Sequence, residues 1–387
     1  MSKHFFELDE FESRQNRVRE AMAARGIDLL LVLSPIDINY LIGAAAKAYQ
    51  VFQCLFFPAQ GGPLVLLLRL SDVPEVSEHS LATEVRGWGG RRAEDPVQVF
   101  RKVLQDHQWL RGRIGLQTPA YYLSVGNYLK VRDALAGIEV VDATDLIENL
   151  KLVKSTAELT YVRRAAEIAD VGIDAITDAL RLGATEREVA AEAHRAMMAA
   201  GGESPPSPMN FVSGERTCYA HGLPSDRVLG KGDFMHIEFG GQYRRYCSTI
   251  ARHFNMGSPT PLARRIHEVT AEASRQAISA IKAGVPAHLP HRVAHDVIAE
   301  AGFGEWNVHT TGYGIAPGFP PSWGESINML DDDGRTLEAG MVVSIEPPIF
   351  IWPDHIGARL IDCVVVHDDH AEVLSRHPRD LVVIDRG

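Results

Sequence analysis

A short sequence pattern occurs twice in the second half of the chain and constrains the fold more than any other feature. Residues 232–238 read GDFMHIE and residues 340–346 read GMVVSIE, so both have the form G-x-x-x-x-I-E. Each is an apolar segment of strand length that ends on a glutamate, Glu238 or Glu346. A charged residue on a buried strand is costly unless it is paired or used. The pattern therefore favours two duplicated halves, each bringing one carboxylate to a common centre, over coincidence between two ordinary strands.

The length of the chain predicts more than one domain, because 387 residues exceed the usual size of a single domain. Strand-like runs alternate with a helical stretch over the first part of the chain, which is typical of an α/β domain. These runs are residues 27–33, 51–57, 63–68, 113–116 and 138–141, with a helix predicted at 97–108. A turn-like Ser34-Pro35 pair follows the first run.

A capping box marks the start of the second domain. Ser155 and Glu158 have the spacing at which each side chain satisfies an orphan donor of the first helical turn. Further helices are predicted at residues 185–200, 261–283 and 289–301, with strands between and after them. We therefore predict an α/β domain at residues 1–150 and an α+β domain at residues 151–387.

Charge and composition narrow the classes of partner. The formal net charge of −11 argues against a nucleic-acid backbone or an anionic membrane surface as the main partner. The longest apolar runs are of strand length, and residues 1–22 lack the apolar core of a signal peptide. The four cysteines are scattered without metal-type spacing, which indicates reduced thiols in a cytoplasmic protein. The expected partner is a small-molecule substrate.

Five segments, which follow one another in order along the chain, carry a resemblance to a known family. They are residues 16–43, 151–159, 213–224, 309–315 and 340–347. In these segments the chain resembles the creatinase, prolidase and aminopeptidase P family. The resemblance implies a creatinase-like N-terminal domain followed by a C-terminal domain of the pita-bread fold. It also implies a homodimer in which the loop at residues 47–53, with Phe52, lies near the partner's pocket.

The metal-binding positions of the family's peptidases are largely changed in this sequence. Those enzymes hold two divalent ions with two aspartates, a histidine and two glutamates. Carried over, the positions fall on Glu238, Thr249, Tyr313, Glu346 and Ile361. Threonine, tyrosine and isoleucine cannot complete a shell of anionic oxygens around hard cations. The resemblance thus implies neither a two-metal centre nor a cofactor; a single ion held by the two glutamates and His236 is the remaining metal alternative.

The polar residues left at the family's site predict a mechanism without a metal. Two neighbouring carboxylates repel each other, so one of them tends to keep its proton. We predict that Glu238 is ionised and acts as nucleophile or water-activating base, with Glu346 as its partner. His221 lies on the loop that matches the catalytic histidine of creatinase, so it is predicted to pass a proton to the leaving nitrogen. In the alternative, His221 is a surface histidine and the glutamates pair with Arg244, Arg245 or Arg359.

Two segments, residues 237–246 and 311–325, resemble the ectoine hydrolase branch of the family. Enzymes of that branch also lack the metal set, and they open a cyclic amidine acid. Pro320-Pro321 is predicted to present Trp323, whose ring suits a delocalised cation, while an arginine suits a carboxylate. Core packing is the alternative role for Trp323. The predicted substrate-binding residues are Tyr313, Trp323, His309, Arg245, Arg359 and Phe52.

The predicted function is therefore metal-independent hydrolysis of a non-peptide C–N bond in a small cyclic amidine, guanidino or amide acid. A metal-dependent Xaa-Pro dipeptidase or aminopeptidase is the first alternative, and the metal-dependent lyase branch that acts on dimethylsulfoniopropionate is another. A non-catalytic binding protein of the same fold is the last. The joint presence of His221, Glu238, His309 and Glu346 argues against it.

Overall fold

The computed structural model describes residues 4–385. The chain forms two compact units, Met1–Lys151 and Leu152–Gly387. In the described part of the chain, no helix is long and apolar enough to cross a bilayer.

The N-terminal unit is built on a six-stranded mixed sheet in the order β4-β3-β2-β1-β5-β6. Its strands are β1 (Leu29–Val32), β2 (Cys54–Pro58), β3 (Val65–Arg69), β4 (Glu84–Trp88), β5 (Arg113–Leu116) and β6 (Glu139–Asp142). Its helices are α1 (Leu8–Ala24), α2 (Pro35–Ile42), α3 (Val73–His79), α4 (Pro96–Asp106), α5 (Val125–Ala134) and α6 (Thr144–Lys151). The α/β class predicted for this part of the chain is confirmed.

Both faces of the central strand β1 are buried. Leu30 and Val32 of β1 belong to a core that includes residues of α1 and α6, whereas Leu29 and Leu31 belong to a core with α4 and α5. The alternation follows from the two-residue period of a strand. It explains why β1 is an unbroken apolar run, since a strand covered on both sides has no polar face.

The Ser34-Pro35 pair begins a helix, so reading it only as a turn is wrong. Ser34 is the N-cap of α2, and its hydroxyl accepts a hydrogen bond from the backbone N–H of Asp37. Pro35 stands at the first helical position, where its missing N–H costs nothing. The helix ends at Gly43, which has a left-handed φ of 73°.

The C-terminal unit contains a nine-stranded sheet whose main path is β16-β15-β12-β10-β9-β8-β7, with β11 paired to β10 and β17 to β9. The strands are β7 (Asn210–Ser213), β8 (Phe234–Tyr243), β9 (Tyr246–Met256), β10 (Tyr313–Phe319), β11 (Ser322–Asn328), β12 (Val342–Ile345), β15 (Asp362–Val366), β16 (Ala371–Val373) and β17 (Val382–Ile384). Strands β13 (Pro348–Ile351) and β14 (Ile356–Arg359) form a separate hairpin.

The described part of this unit also contains four α-helices: α7 (Thr156–Ala179), α8 (Glu186–Ala199), α9 (Pro261–Ser279) and α10 (His288–Glu300). The capping box predicted at Ser155 and Glu158 is confirmed, with both reciprocal bonds present at the start of α7. Strands and helices are both present but do not alternate regularly, so the α+β class predicted for this part of the chain is confirmed as well.

The two copies of the repeat occupy equivalent places in this unit. Each glycine precedes its strand with a left-handed φ, 88° at Gly232 and 92° at Gly340, which a residue with a side chain rarely adopts. Glu238 follows on β8, and Glu346 comes directly after β12. Helices α7 and α8 share a core with β8, while α9 and α10 share one with β12. Each repeat strand is thus buried against its own helix pair.

Candidate active site

The sheet of the C-terminal unit aligns the two glutamates of the repeat across its strands. Glu238 on β8 pairs with Ala251 on β9, and Ala251 is bridged on its other side to Ile361 by hydrogen bonds of 3.1 and 3.2 Å. Asp362 pairs with Ile345, the residue before Glu346. The two carboxyl groups therefore belong to one transverse row of the sheet, with positions 251 and 361 between them.

Glu238 is held by an arginine. The guanidinium of Arg359, at the end of β14, donates to Glu238 Oε2 and, over 2.5 Å, to the carbonyl oxygen of Ala220. Burial lowers the pKa of Arg359 to about 9, so the group keeps its charge at neutral pH. Of the three arginines considered as partners for the glutamates, Arg359 is therefore the one that binds Glu238, and its role toward substrate stays a prediction.

Glu346 lies in a different environment. Its side chain is buried, Oε1 is 3.3 Å from the hydroxyl of Ser344, and its backbone N–H donates to the carbonyl of Thr311 over 2.7 Å. Burial raises the pKa of Glu346 to about 8, against the opposing effect of the Ser344 hydrogen bond. Burial therefore favours the protonated form of Glu346 at neutral pH. The sequence analysis predicts a protonated partner from repulsion by Glu238, whereas burial is the cause in the structure.

His221 faces a second histidine. Its ring centroid lies 5.8 Å from that of His309, whose Nδ1 is 3.1 Å from the carbonyl oxygen of Thr310. His221 is exposed to solvent, but neighbouring atoms still displace part of the water around its ring, and this effect and then the positive charge of Arg359 lower its pKa. A neutral imidazole at this place can accept a proton at neutral pH.

A buried carboxylate that the sequence analysis missed holds the segment that carries His221. Glu186, at the start of α8, accepts hydrogen bonds from the Ser213 hydroxyl at 2.7 Å and from the backbone N–H of Ser225 at 2.9 Å. It also pairs with Arg216. Nothing in the local sequence distinguishes Glu186 from the other charged residues of its helix, because its partners come from residues 213–225.

Tyr313 and Trp323 are joined by a hydrogen bond. The indole N–H of Trp323 donates to the phenol oxygen of Tyr313 over 3.2 Å. Trp323 is only 4% exposed, and its ring lies against Gly240 of β8. The signal that could have revealed this contact is the glycine itself, because glycine inside a strand often marks a close approach by another group.

One of the predicted substrate-binding residues, Arg245, lies away from the glutamates within the C-terminal unit, and another, Phe52, belongs to the N-terminal unit. Arg245 belongs to the turn between β8 and β9, where its guanidinium lies over the Phe319 ring. At about 3.3 Å per residue of strand, that turn is roughly 15–20 Å along β8 from Glu238. Phe52 is buried in the N-terminal unit, with its ring 6.0 Å from that of Phe100. The structure gives both a packing contact, and their roles in binding substrate stay predictions.

Comparison with known families covers nearly the whole chain. Residues 160–368 match the family described as "Metallopeptidase family M24", and residues 14–153 match the "Creatinase/Prolidase N-terminal domain". The chain belongs to metallopeptidase family M24. The pita-bread fold predicted for the C-terminal unit is thereby confirmed, together with the creatinase-like N-terminal domain.

Relatives of this M24 chain match it from end to end. An Xaa-Pro dipeptidase of Pyrococcus horikoshii is 28% identical over 97% of this chain and 100% of its own length. A probable dipeptidase PepE of Mycobacterium tuberculosis is 31% identical over 99% of both chains. The solved structure of an Xaa-Pro dipeptidase from Bacillus anthracis superposes with a TM-score of 0.84 at 26% identity, covering 97% of this chain and 100% of that one.

These relatives contradict the predicted activity. The prediction of a metal-independent hydrolase of non-peptide C–N bonds, nearest to ectoine hydrolase, is wrong. Full-length relatives are named Xaa-Pro dipeptidase or probable dipeptidase, and the family is one of metallopeptidases. The prediction relied on the changed positions Thr249, Tyr313 and Ile361 and on a short segment around Trp323. Similarity over the whole M24 domain, residues 160–368, involves many more residues than these and is the stronger indication of activity.

Because the M24 family is one of metallopeptidases, its members are expected to bind metal ions, and this site can be compared with that expectation. Within residues 4–385, no three histidine, cysteine, aspartate or glutamate side chains come together in a way that could hold one. Glu238 is bound by Arg359, while Nε2 of His236 lies 3.0 Å from the carbonyl oxygen of Thr217. The residues present therefore do not fit the two-ion set of the family's peptidases.

Proposed function

We propose that this protein hydrolyses dipeptides of the Xaa-Pro class at the site in its M24 domain. The observation that carries the proposal is the end-to-end similarity to proteins named Xaa-Pro dipeptidase and dipeptidase, which spans both units of the chain. Similarity of fold alone would not indicate an activity, since one fold hosts many functions. Here the shared name extends to relatives that match over their full length.

The polar groups of the site suit amide hydrolysis. That reaction needs a base for the attacking water, a hydrogen-bond donor for the carbonyl oxygen and a proton for the leaving nitrogen. Glu238, paired with Arg359, is the carboxylate of the site. Glu346 carries a proton at neutral pH because burial raises its pKa to about 8. His221, with a lowered pKa, is neutral and can relay a proton.

The experiment that tests this proposal is a dipeptide panel with purified protein. Ala-Pro, Leu-Pro and Lys-Pro are compared with the reversed sequence Pro-Ala and with Ala-Ala, each with and without added manganese. We expect release of free proline from the Xaa-Pro substrates, faster than cleavage of the controls by at least about tenfold, a discrimination that one pocket can provide. Absence of proline release in both metal conditions would contradict the proposal.

One observation favours a second candidate, the binding of Xaa-Pro peptides without turnover. Glu238 is already neutralised by Arg359, and the described residues offer no metal cluster. A protein of this kind would bind the dipeptide and leave it intact. Calorimetry with Ala-Pro, followed by chromatography of the same sample, separates the two candidates: heat of binding with intact dipeptide supports the second, and free alanine and proline support the first.

We also propose that the protein is a cytoplasmic homodimer with a small-molecule substrate, as the sequence analysis predicts. Light scattering at micromolar concentration is the test of assembly. A mass of twice 42.6 kDa supports the dimer, and a fully active monomer contradicts it.

A further inference from the structure

The phenol of Tyr313 stands beside the row of glutamates. Tyr313 begins β10, its backbone N–H donates to the Ser344 hydroxyl over 3.2 Å, and that hydroxyl contacts Glu346. Tyr313 is half-buried. Burial and the nearby carboxyl of Glu346 raise the pKa of the phenol well above its ordinary value, so the O–H stays intact through the neutral range. The group is therefore a neutral donor next to a buried carboxyl group.

Trp323 determines which way this phenol can donate. An indole N–H is a donor only, so the 3.2 Å bond to Tyr313 requires the phenol oxygen to accept. The hydrogen of Tyr313 must then point away from Trp323. Within residues 4–385 no hydrogen bond takes up that hydrogen. The O–H is thus oriented and left available for a bound molecule.

The position of the indole is itself fixed by a glycine. A Cβ placed on Gly240 would come within 2.9 Å of one ring carbon of Trp323 and 3.3 Å of another. Gly240 lies two residues after Glu238 on β8, hence on the same face of the sheet. Gly240, Trp323 and Tyr313 therefore form a stack that extends from the strand of Glu238 to the strand next to Glu346.

We infer that Tyr313 donates a hydrogen bond to the scissile carbonyl oxygen of the bound dipeptide, and that Trp323 is the positioning residue that aims it. The inference rests on the proposed function. Water adds to the carbonyl carbon and gives a proton to the site base, and the C=O electron pair moves to the oxygen, which Tyr313 stabilises without losing its proton. The electron pair on the oxygen then re-forms the C=O bond as the C–N bond breaks, the C–N electron pair goes to the proline nitrogen, and that nitrogen takes up the proton from the site base. Free Xaa and proline result.

The test compares Tyr313→Phe, Trp323→Phe and the double variant in hydrolysis of Ala-Pro. Tyr313→Phe is expected to lower kcat about 10²–10³-fold, as for removal of one oxyanion donor. Trp323→Phe keeps a ring but loses the N–H and is expected to lower kcat about 10–10²-fold, with KM unchanged in both. Because Trp323 acts through Tyr313, the double variant should be no slower than Tyr313→Phe. If the fold-losses in kcat of the two single variants multiply in the double variant, or if Tyr313→Phe has a normal kcat, the inference is wrong.

One further variant is a control for the loss of an indole hydrogen bond, and a second tests the positioning role of Trp323. Trp88→Phe also removes an indole N–H bond, the one that Trp88 donates to the Phe52 carbonyl over 2.9 Å, and should leave kcat unchanged. Gly240→Ala displaces the indole without removing it and should reproduce the kcat loss of Trp323→Phe. Melting temperatures of all variants show whether the fold is retained. A Gly240→Ala protein that is folded and fully active would contradict the positioning role of Trp323.

A binding measurement separates failure of this inference from failure of the proposed function. A phosphinic Ala-Pro analogue carries a tetrahedral anionic centre and needs no turnover. Tyr313→Phe and Trp323→Phe should weaken its binding by at least about tenfold while binding of Ala-Pro itself is unchanged. If wild type cleaves Ala-Pro and the variants bind the analogue normally, only the inference is wrong. If wild type neither cleaves Ala-Pro nor binds the analogue, the proposed function is wrong, and so is the inference that rests on it.

Discussion

Arg359 donates a buried hydrogen bond to Glu238, although the two residues lie 121 positions apart in the chain. The arginine also holds the carbonyl of Ala220, the residue before His221. One guanidinium thus connects the predicted base with the segment that carries the predicted proton relay. A change at Arg359 is therefore expected to affect both Glu238 and the segment that carries His221.

Removal of the Arg359 side chain should lower the free energy of unfolding. Arg359→Met leaves the carboxylate of Glu238 buried without its partner, which typically costs about 3–5 kcal/mol. Adding Glu238→Gln removes the unpaired charge and should restore part of the free energy of unfolding. Urea denaturation of both proteins measures this. Arg292→Met, at an exposed arginine, is the control and should stay within about 0.5 kcal/mol of wild type.

The stability of the protein should depend on pH through Glu346. Its pKa is raised to about 8 by burial, so between its unfolded pKa and pH 8 the folded state binds more protons than the unfolded state. Stability should therefore fall as pH rises from about 4.3 to 8 and change little through this group above that range. Glu346→Gln should lack this part of the decline. Equal slopes in wild type and variant over this range would contradict the assignment.

The network around Glu186 should support activity through His221. Glu186→Gln breaks the pairing with Arg216 and weakens the bonds from Ser213 and Ser225, which should cost about 1.5–3 kcal/mol. It should also lower kcat, because the segment carrying His221 is less well held. Glu192→Gln on the same helix breaks only an exposed pair with Arg195 and should change neither quantity. Normal kcat in a destabilised Glu186→Gln protein would show that the network is only structural.

Local signals in the sequence predicted much of the fold. The capping box at Ser155 depends on residues three apart, and the repeat depends on strand length and on two glycines with positive φ. The helix beginning at Pro35 was missed because serine followed by proline is common in turns as well as at helix starts. Whether such a pair forms a turn or begins a helix depends on how the apolar residues after it pack, and that packing cannot be read from a short stretch of sequence.

The site was less predictable because its chemistry depends on partners far away in sequence. The two glutamates were found from the repeat, but which arginine binds Glu238 depends on how β14 lies beside β8. The raised pKa of Glu346 is an effect of burial. The contact of Trp323 with Gly240 joins residues 83 positions apart (323 minus 240). Such contacts become visible only when the strands are placed beside one another.

The most direct measurement of the central claim is the release of proline from Ala-Pro by wild type and Glu238→Gln, side by side, with and without manganese. The amide keeps the shape of the carboxylate but removes its charge and basicity. We predict that wild type releases alanine and proline in equal amounts. Glu238→Gln is expected to stay folded, with a lower melting temperature because Arg359 loses its buried counter-ion, and to lose about 10²–10⁴-fold in kcat. A wild-type protein that releases no proline, or a folded Glu238→Gln protein as fast as wild type, would contradict the account.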